Sequence, residues 1–91
     1  MMAVSLIITG VVQGVGYRAA FARHALGLKL DGWVCNRRDG AVEALIAGDA
    51  SSVQDMIDWS RRGPPAARVA DVEVNRQEVA VAPGFKIVAN R

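Results

Sequence analysis

Five short apolar or alternating runs, two stretches with helical spacing and an Asp-Gly turn between the second and third runs predict an α+β fold. Their order is βαββαβ, followed by one small extra strand. Two helices cannot cover both faces of such a sheet, so both are expected on one face. This is the split-βαβ, ferredoxin-like sandwich, an antiparallel sheet whose first and third strands are central. At 91 residues the chain has room for one small core, and residues 1–91 are expected to form a single domain.

The first strand is expected from Ala3 to Thr9, apolar at nearly every position, as suits the middle of a sheet. The first helix is expected from Tyr17 to Leu28, with Tyr17, Phe21, Ala25 and Leu28 on one core-facing stripe. His24 lies beside that stripe with no second ligand-type residue near it, and reads as a surface or half-buried side chain. Gly32 to Arg37 reads as a second strand. Asp39-Gly40 supplies the left-handed conformations of a tight hairpin, and Ala41 to Ala47 forms the third strand. Val42, Ala44 and Ile46 share one of its faces, with Glu43 on the other.

Ser51 with Gln54 has the spacing of a capping box at the start of the second helix. Val53, Met56, Ile57 and Ser60 form that helix's buried stripe, flanked by Trp59. Arg61 and Arg62 suit its last turn, and Gly63-Pro64-Pro65 stops it. The fourth strand, Arg68 to Val74, alternates Ala70, Val72 and Val74 against Asp71, Glu73 and Asn75, so one face should be wet. Gly84 to Val88 is the short last strand. Trp33 and Trp59 read as packing residues, and Cys35 as a passive neighbour of Asn36 pointing to the opposite face.

Composition excludes several classes of function. Net charge is +2 with scattered basic residues, which makes no footprint for duplex nucleic acid but tolerates a small anion. The single cysteine excludes an intramolecular disulfide and a cysteine-built metal site, and suits a reducing, cytoplasmic compartment. The apolar start has no Lys or Arg before its core and runs straight into a glycine turn, unlike a signal peptide. No run approaches the length of a membrane span.

The chemistry concentrates at Thr9-Gly10-Val11-Val12-Gln13-Gly14-Val15-Gly16-Tyr17-Arg18. A glycine-bearing turn from strand to helix leaves backbone N–H groups converging on one spot, where the helix dipole favours negative charge. Arg18 adds a planar cationic fork that matches phosphate oxygens. Many such turns only reverse the chain. The stretch is neither a P-loop nor a dinucleotide fingerprint.

Four blocks in order carry a resemblance. They are Gly10-x-Val12-Gln13-Gly14-Val15-x-Tyr17-Arg18, Leu28-x-Leu30-x-Gly32-Trp33-Val34-x-Asn36, Asp39-Gly40-x-Val42-Glu43, and Gly63-Pro64-x-x-Ala67-x-Val69. Together, from about Ser5 to Ile87, the chain resembles the acylphosphatase family. The resemblance implies metal-independent hydrolysis of acyl phosphates to a carboxylate and phosphate, on a ferredoxin-like fold and without a cofactor. It implies that the loop Gln13, Gly14, Val15, Gly16, Tyr17 and Arg18 binds the phosphoryl group, that Arg18 clamps it, and that Asn36 orients the attacking water. The expected partner is a small acyl phosphate, with no nucleic acid or membrane, and the expected state is a monomer. Three positions depart from the family's usual pattern: Val11 replaces a common basic residue, Tyr17 a common Phe, and Lys29 a frequent Gly.

The alternative is a non-catalytic anion- or RNA-binding module of the same fold. RNA recognition on this topology uses aromatic residues on the two central strands, and the runs Val4 to Thr9 and Ala41 to Ala47 contain none.

Overall fold

The computed structural model describes residues 1–91. The elements are β1 (Met2–Val11), α1 (Tyr17–Gly27), β2 (Asp31–Asn36), β3 (Val42–Gly48), α2 (Ala50–Ser60), β4 (Arg68–Arg76) and β5 (Phe85–Ile87). They build one five-stranded sheet in the order β4-β1-β3-β2-β5. β1 pairs antiparallel with β3 and β4, and β2 pairs antiparallel with β3. β5 runs parallel to β2, with Val34 opposite Ile87. The sheet is therefore mixed, a correction to the wholly antiparallel expectation. A last strand reaching the far edge after crossing the sheet enters in the direction its connection dictates, which periodicity does not encode.

Alternation explains where the core sits. Val4, Leu6 and Ile8 of β1, Val34 of β2, and Val42, Ala44 and Ile46 of β3 are all buried in one cluster. Tyr17, Phe21 and Ala25 of α1 and Val53, Met56 and Ile57 of α2 close over the same face. Both helices thus pack on one side, as the element order requires. Tyr17, Phe21, Phe85 and Trp59 make a chain of aromatic contacts with centroids 5.7–6.0 Å apart. His24 is half-buried and stacks on Trp59 at 5.1 Å. No helix is long and apolar enough to cross a membrane.

Three local expectations are corrected. The capping box does not form: Asp49 occupies the N-cap without a side-chain cap, and Ser51 is already inside α2. Gln54 instead donates to Asp58 one turn on, at 3.0 Å. Arg61 is the C-cap residue, so Arg61 and Arg62 follow the last turn rather than occupy it. In β4 only Val72 is buried, while Ala70 is exposed. A register shift between Thr9 and Gly10 places Gly10 opposite Val69, and Val69 packs against the core in place of Ala70.

The end of α1 accounts for Lys29. Leu30 N–H donates to Ala25 C=O and Lys29 N–H to Leu26 C=O, both at 3.0 Å. This pair of bonds is the Schellman termination, whose C′ residue adopts a left-handed conformation. Lys29 holds it at φ 57°, the one non-glycine residue with positive φ. The chain then enters β2 with Leu30 buried.

Candidate active site

The loop between β1 and α1 turns at two glycines. Gly14 and Gly16 have φ values of 76° and 79°, and a Cβ at either would meet open space. Backbone conformation rather than crowding therefore requires glycine at both. Gly16 is the N-cap of α1 and offers no side chain to the first turn. None of the N–H groups from Gly14 to Ala19 donates to a protein acceptor, and the first bond of the helix runs from Ala20 N–H to Gly16 C=O. A set of unpaired donors at a helix N-terminus is an anion site in waiting.

Arg18 stands at the second position of α1. The molecule's ion pairs are Arg37–Asp39 and Arg91–Glu43, so no carboxylate neutralises the Arg18 guanidinium. Across from it, Asn36 ends β2 on the same face as Val34, turned towards the helices. Its Oδ1 is buried and has no hydrogen-bond partner. An unsatisfied buried acceptor of this kind costs on the order of 1–3 kcal/mol. Gly14, Gly16, Tyr17, Arg18 and Asn36 line one cleft of about 220 Å³. A larger hollow of about 470 Å³ lies between residues 1–3 and 77–81, but its lining holds no arginine or lysine.

Three side chains of the sequence-predicted loop turn away from the cleft or only border it. The Gln13 amide donates to Arg37 C=O and Ala41 C=O, both at 2.8 Å, and so reaches the β2–β3 hairpin instead of an anion. Val15 is half-buried and packs against the core. Tyr17 borders the cleft, yet its hydroxyl is buried and donates to Ser60 C=O at 2.8 Å. That carbonyl is one of the last of α2 and has no helical partner of its own. Burial pushes the Tyr17 phenol well above its ordinary range. Val12, Ala19 and Ile87 also line the cleft. Ile87 arrives through the parallel pairing of β5 with β2, and nothing in its local sequence signals this.

Cys35 points to the helix-free face and is fully buried. It sits beside a small layer in which Arg91 lies 4.2 Å over the Trp33 ring and pairs with Glu43 at 3.7 Å. Burial pushes its thiol upwards; Arg91 and more weakly Arg18 and Arg37 oppose this, and Glu43 adds to it. A thiol held protonated on the far face cannot serve as a nucleophile in the cleft. No group of three or more His, Cys, Asp or Glu side chains is arranged to hold a metal ion.

Comparison with known proteins places the sequence and the fold. The sequence model of the acylphosphatase family matches residues 4–87. An acylphosphatase of Acidovorax sp. is 52% identical over 81 residues, 89% of this chain and 84% of its own length. One from Thermococcus kodakarensis is 49% identical over 83 residues, 91% of each chain. The crystal structure of acylphosphatase from Bacillus subtilis superposes with a TM-score of 0.92 at 36% identity, covering 97% of this chain and 99% of that one. The family match spans nearly the whole sequence and the superposition nearly the whole fold, and on those grounds this chain belongs to the acylphosphatase family.

Proposed function

We propose that the 220 Å³ cleft hydrolyses the carboxyl–phosphate bond of acyl phosphates, with Arg18 and the loop N–H groups holding the phosphoryl group and Asn36 orienting the attacking water. One observation carries this reading: Arg18 with no carboxylate partner, residues whose backbone N–H groups are unpaired, and Asn36 line a single cleft. The donors and the cation suit an anion with several oxygens, and the Asn36 amide suits a water molecule.

The reaction needs little more. Phosphoryl transfer asks mainly for positioning and for neutralised charge on the equatorial oxygens. The water oxygen bonds to phosphorus as the phosphorus–acyl oxygen bond breaks, and the bonding pair leaves on the carboxylate. The conjugate acid of that leaving group has a pKa of roughly 4, so it departs unprotonated and no general acid is required. Asn36 is neutral and cannot take the water's proton. A phosphoryl oxygen of the substrate takes it, giving inorganic phosphate and a carboxylate. The scheme draws on Arg18, the loop N–H groups, Asn36 and the substrate's own phosphoryl oxygen.

The test is an assay of benzoyl phosphate hydrolysis with EDTA present and inorganic phosphate as inhibitor. Turnover that survives EDTA, with competitive inhibition by phosphate, is expected. Phosphate binding without turnover would favour the anion-sensing module instead.

A further inference from the structure

We infer that Gln13 is a positioning residue that sets the distance between the phosphoryl cradle and Asn36, rather than a ligand of the phosphoryl group. The inference rests on the proposed roles of the cradle and of Asn36. Both amide hydrogens of Gln13 are engaged, one on Arg37 C=O and one on Ala41 C=O, each at 2.8 Å. Neither is left for an anion, and Gln13 is absent from the cleft lining.

The two carbonyls it grips belong to the cross-strand pair next to Asn36 and Val42, on the turn side. Arg37 follows Asn36 directly, and Arg37 N–H donates to Ala41 C=O at 2.8 Å. Asn36 itself pairs with Val42, the residue after Ala41. Gln13 thus holds both arms of the β2–β3 hairpin at the level of the water-orienting amide. It needs to, because β1 and β2 are not neighbours: β3 lies between them. The cradle hangs from the end of β1 and Asn36 from the end of β2. The Gln13 amide is a direct side-chain tie between the two.

The other constraints on Asn36 come from its own side of the sheet. Arg91 N–H donates to Asn36 C=O at 2.9 Å, and Gly40 N–H closes the hairpin onto Arg37 C=O at 3.2 Å. The β1–β3 ladder, which ends at Ile8 opposite Val42, sets the strands; beyond it, the Gln13 amide ties the loop itself to the hairpin end. An error of about 1 Å between a nucleophile and its target can cost ~10²-fold in rate. The cradle's own donors are main-chain N–H groups and Arg18, none of which bonds to Gln13. Loss of the tie should therefore spoil turnover and spare anion binding.

Gln13→Met keeps the length of the side chain and removes both donors. We expect its kcat for benzoyl phosphate to fall about tenfold to a hundredfold, with the inhibition constant of inorganic phosphate within about twofold of the parental value. Gln13→Asn keeps the amide but shortens its reach, and should show the same split to a smaller degree; it carries the test if the Met variant does not fold. A matching loss of phosphate inhibition would make Gln13 a phosphoryl ligand or a mere support of the loop, and overturn the inference. Unchanged kcat in both variants would overturn it too. Parental hydrolysis and parental phosphate inhibition, measured alongside, test the cradle reading independently of either outcome.

Discussion

Arg18 enters α1 without a counterion, and that shapes what a substitution there should do. No carboxylate pairs with it, so Arg18→Ala should leave stability nearly unchanged. Its turnover of benzoyl phosphate should fall by about 10²-fold or more, as loss of a preorganised charge-stabilising donor does. Arg18→Lys should recover little, because a point charge replaces a fork that meets two oxygens at once. Steady-state kinetics on the two variants checks this. Tyr17, its neighbour in sequence, works in the opposite direction. Its ring faces the core and its hydroxyl completes the C-terminal end of α2 through Ser60 C=O. Tyr17→Phe should cost about 0.5–1.5 kcal/mol in denaturant unfolding and leave turnover intact. Adjacent residues thus divide between site and core because successive positions on a helix point about 100° apart.

Elements that depend on local periodicity were legible from the residues, and those that depend on remote partners were not. The Tyr17–Phe21–Ala25 stripe, the Val42–Ala44–Ile46 face and the Asp39-Gly40 turn all follow from spacing and conformational preference. The start of α2 did not follow. Asp49, Ser51 and Ser52 are all residues suited to capping, and the Ser51–Gln54 spacing fits a box that does not form. The helix begins instead as soon as β3 ends at Gly48. The register shift beside Gly10 and the parallel entry of β5 are settled between strands far apart in sequence. The resemblance names Arg18, Asn36 and the loop from Gln13 to Arg18; that the hairpin carbonyls hold the Gln13 side-chain amide is visible only in the fold. At the end of α1, Lys29 holds a left-handed conformation that costs an L residue about 1–2 kcal/mol. Glycine would remove that strain but lose more entropy on folding. Lys29→Gly should stabilise the chain by a net ~0.5–1 kcal/mol, which raises Tm by roughly 4 °C in a domain of this size. A thermal melt that falls instead would mean that the Lys29 side chain contributes more than its backbone costs.

At the scale of the whole molecule, the candidate site is where the loop after β1 meets the ends of β2 and β5, two strands that β1 does not pair with. The loop after β1, the end of β2 and the end of β5 all contribute to the cleft. The sheet order sets their separation. Stability should also carry a mark of the Tyr17 tether at high pH. The folded state holds the Tyr17 phenol above its ordinary value of 10.0, so the unfolded chain loses this proton first as pH rises. The tether's contribution is complete below about pH 10 and declines above it. Tyr17→Phe lacks that term, and its stability should fall less steeply between about pH 10 and 11 than the parental chain's. Asp39 acts at the other limb. Ala41 N–H, and then Arg37, hold its carboxyl below the usual carboxylate range. Its contribution is present above the ordinary carboxylate value and is lost as pH falls through the lowered one.

The most direct measurement compares phosphate binding with turnover in Asn36→Ala and Arg18→Ala. If backbone donors and Arg18 seat the anion while Asn36 directs the water, Asn36→Ala should bind phosphate within about twofold of the parental affinity yet turn over on the order of 10²-fold more slowly or not at all. Arg18→Ala should lose both. Near-parental hydrolysis of benzoyl phosphate by the two variants would contradict this division of roles.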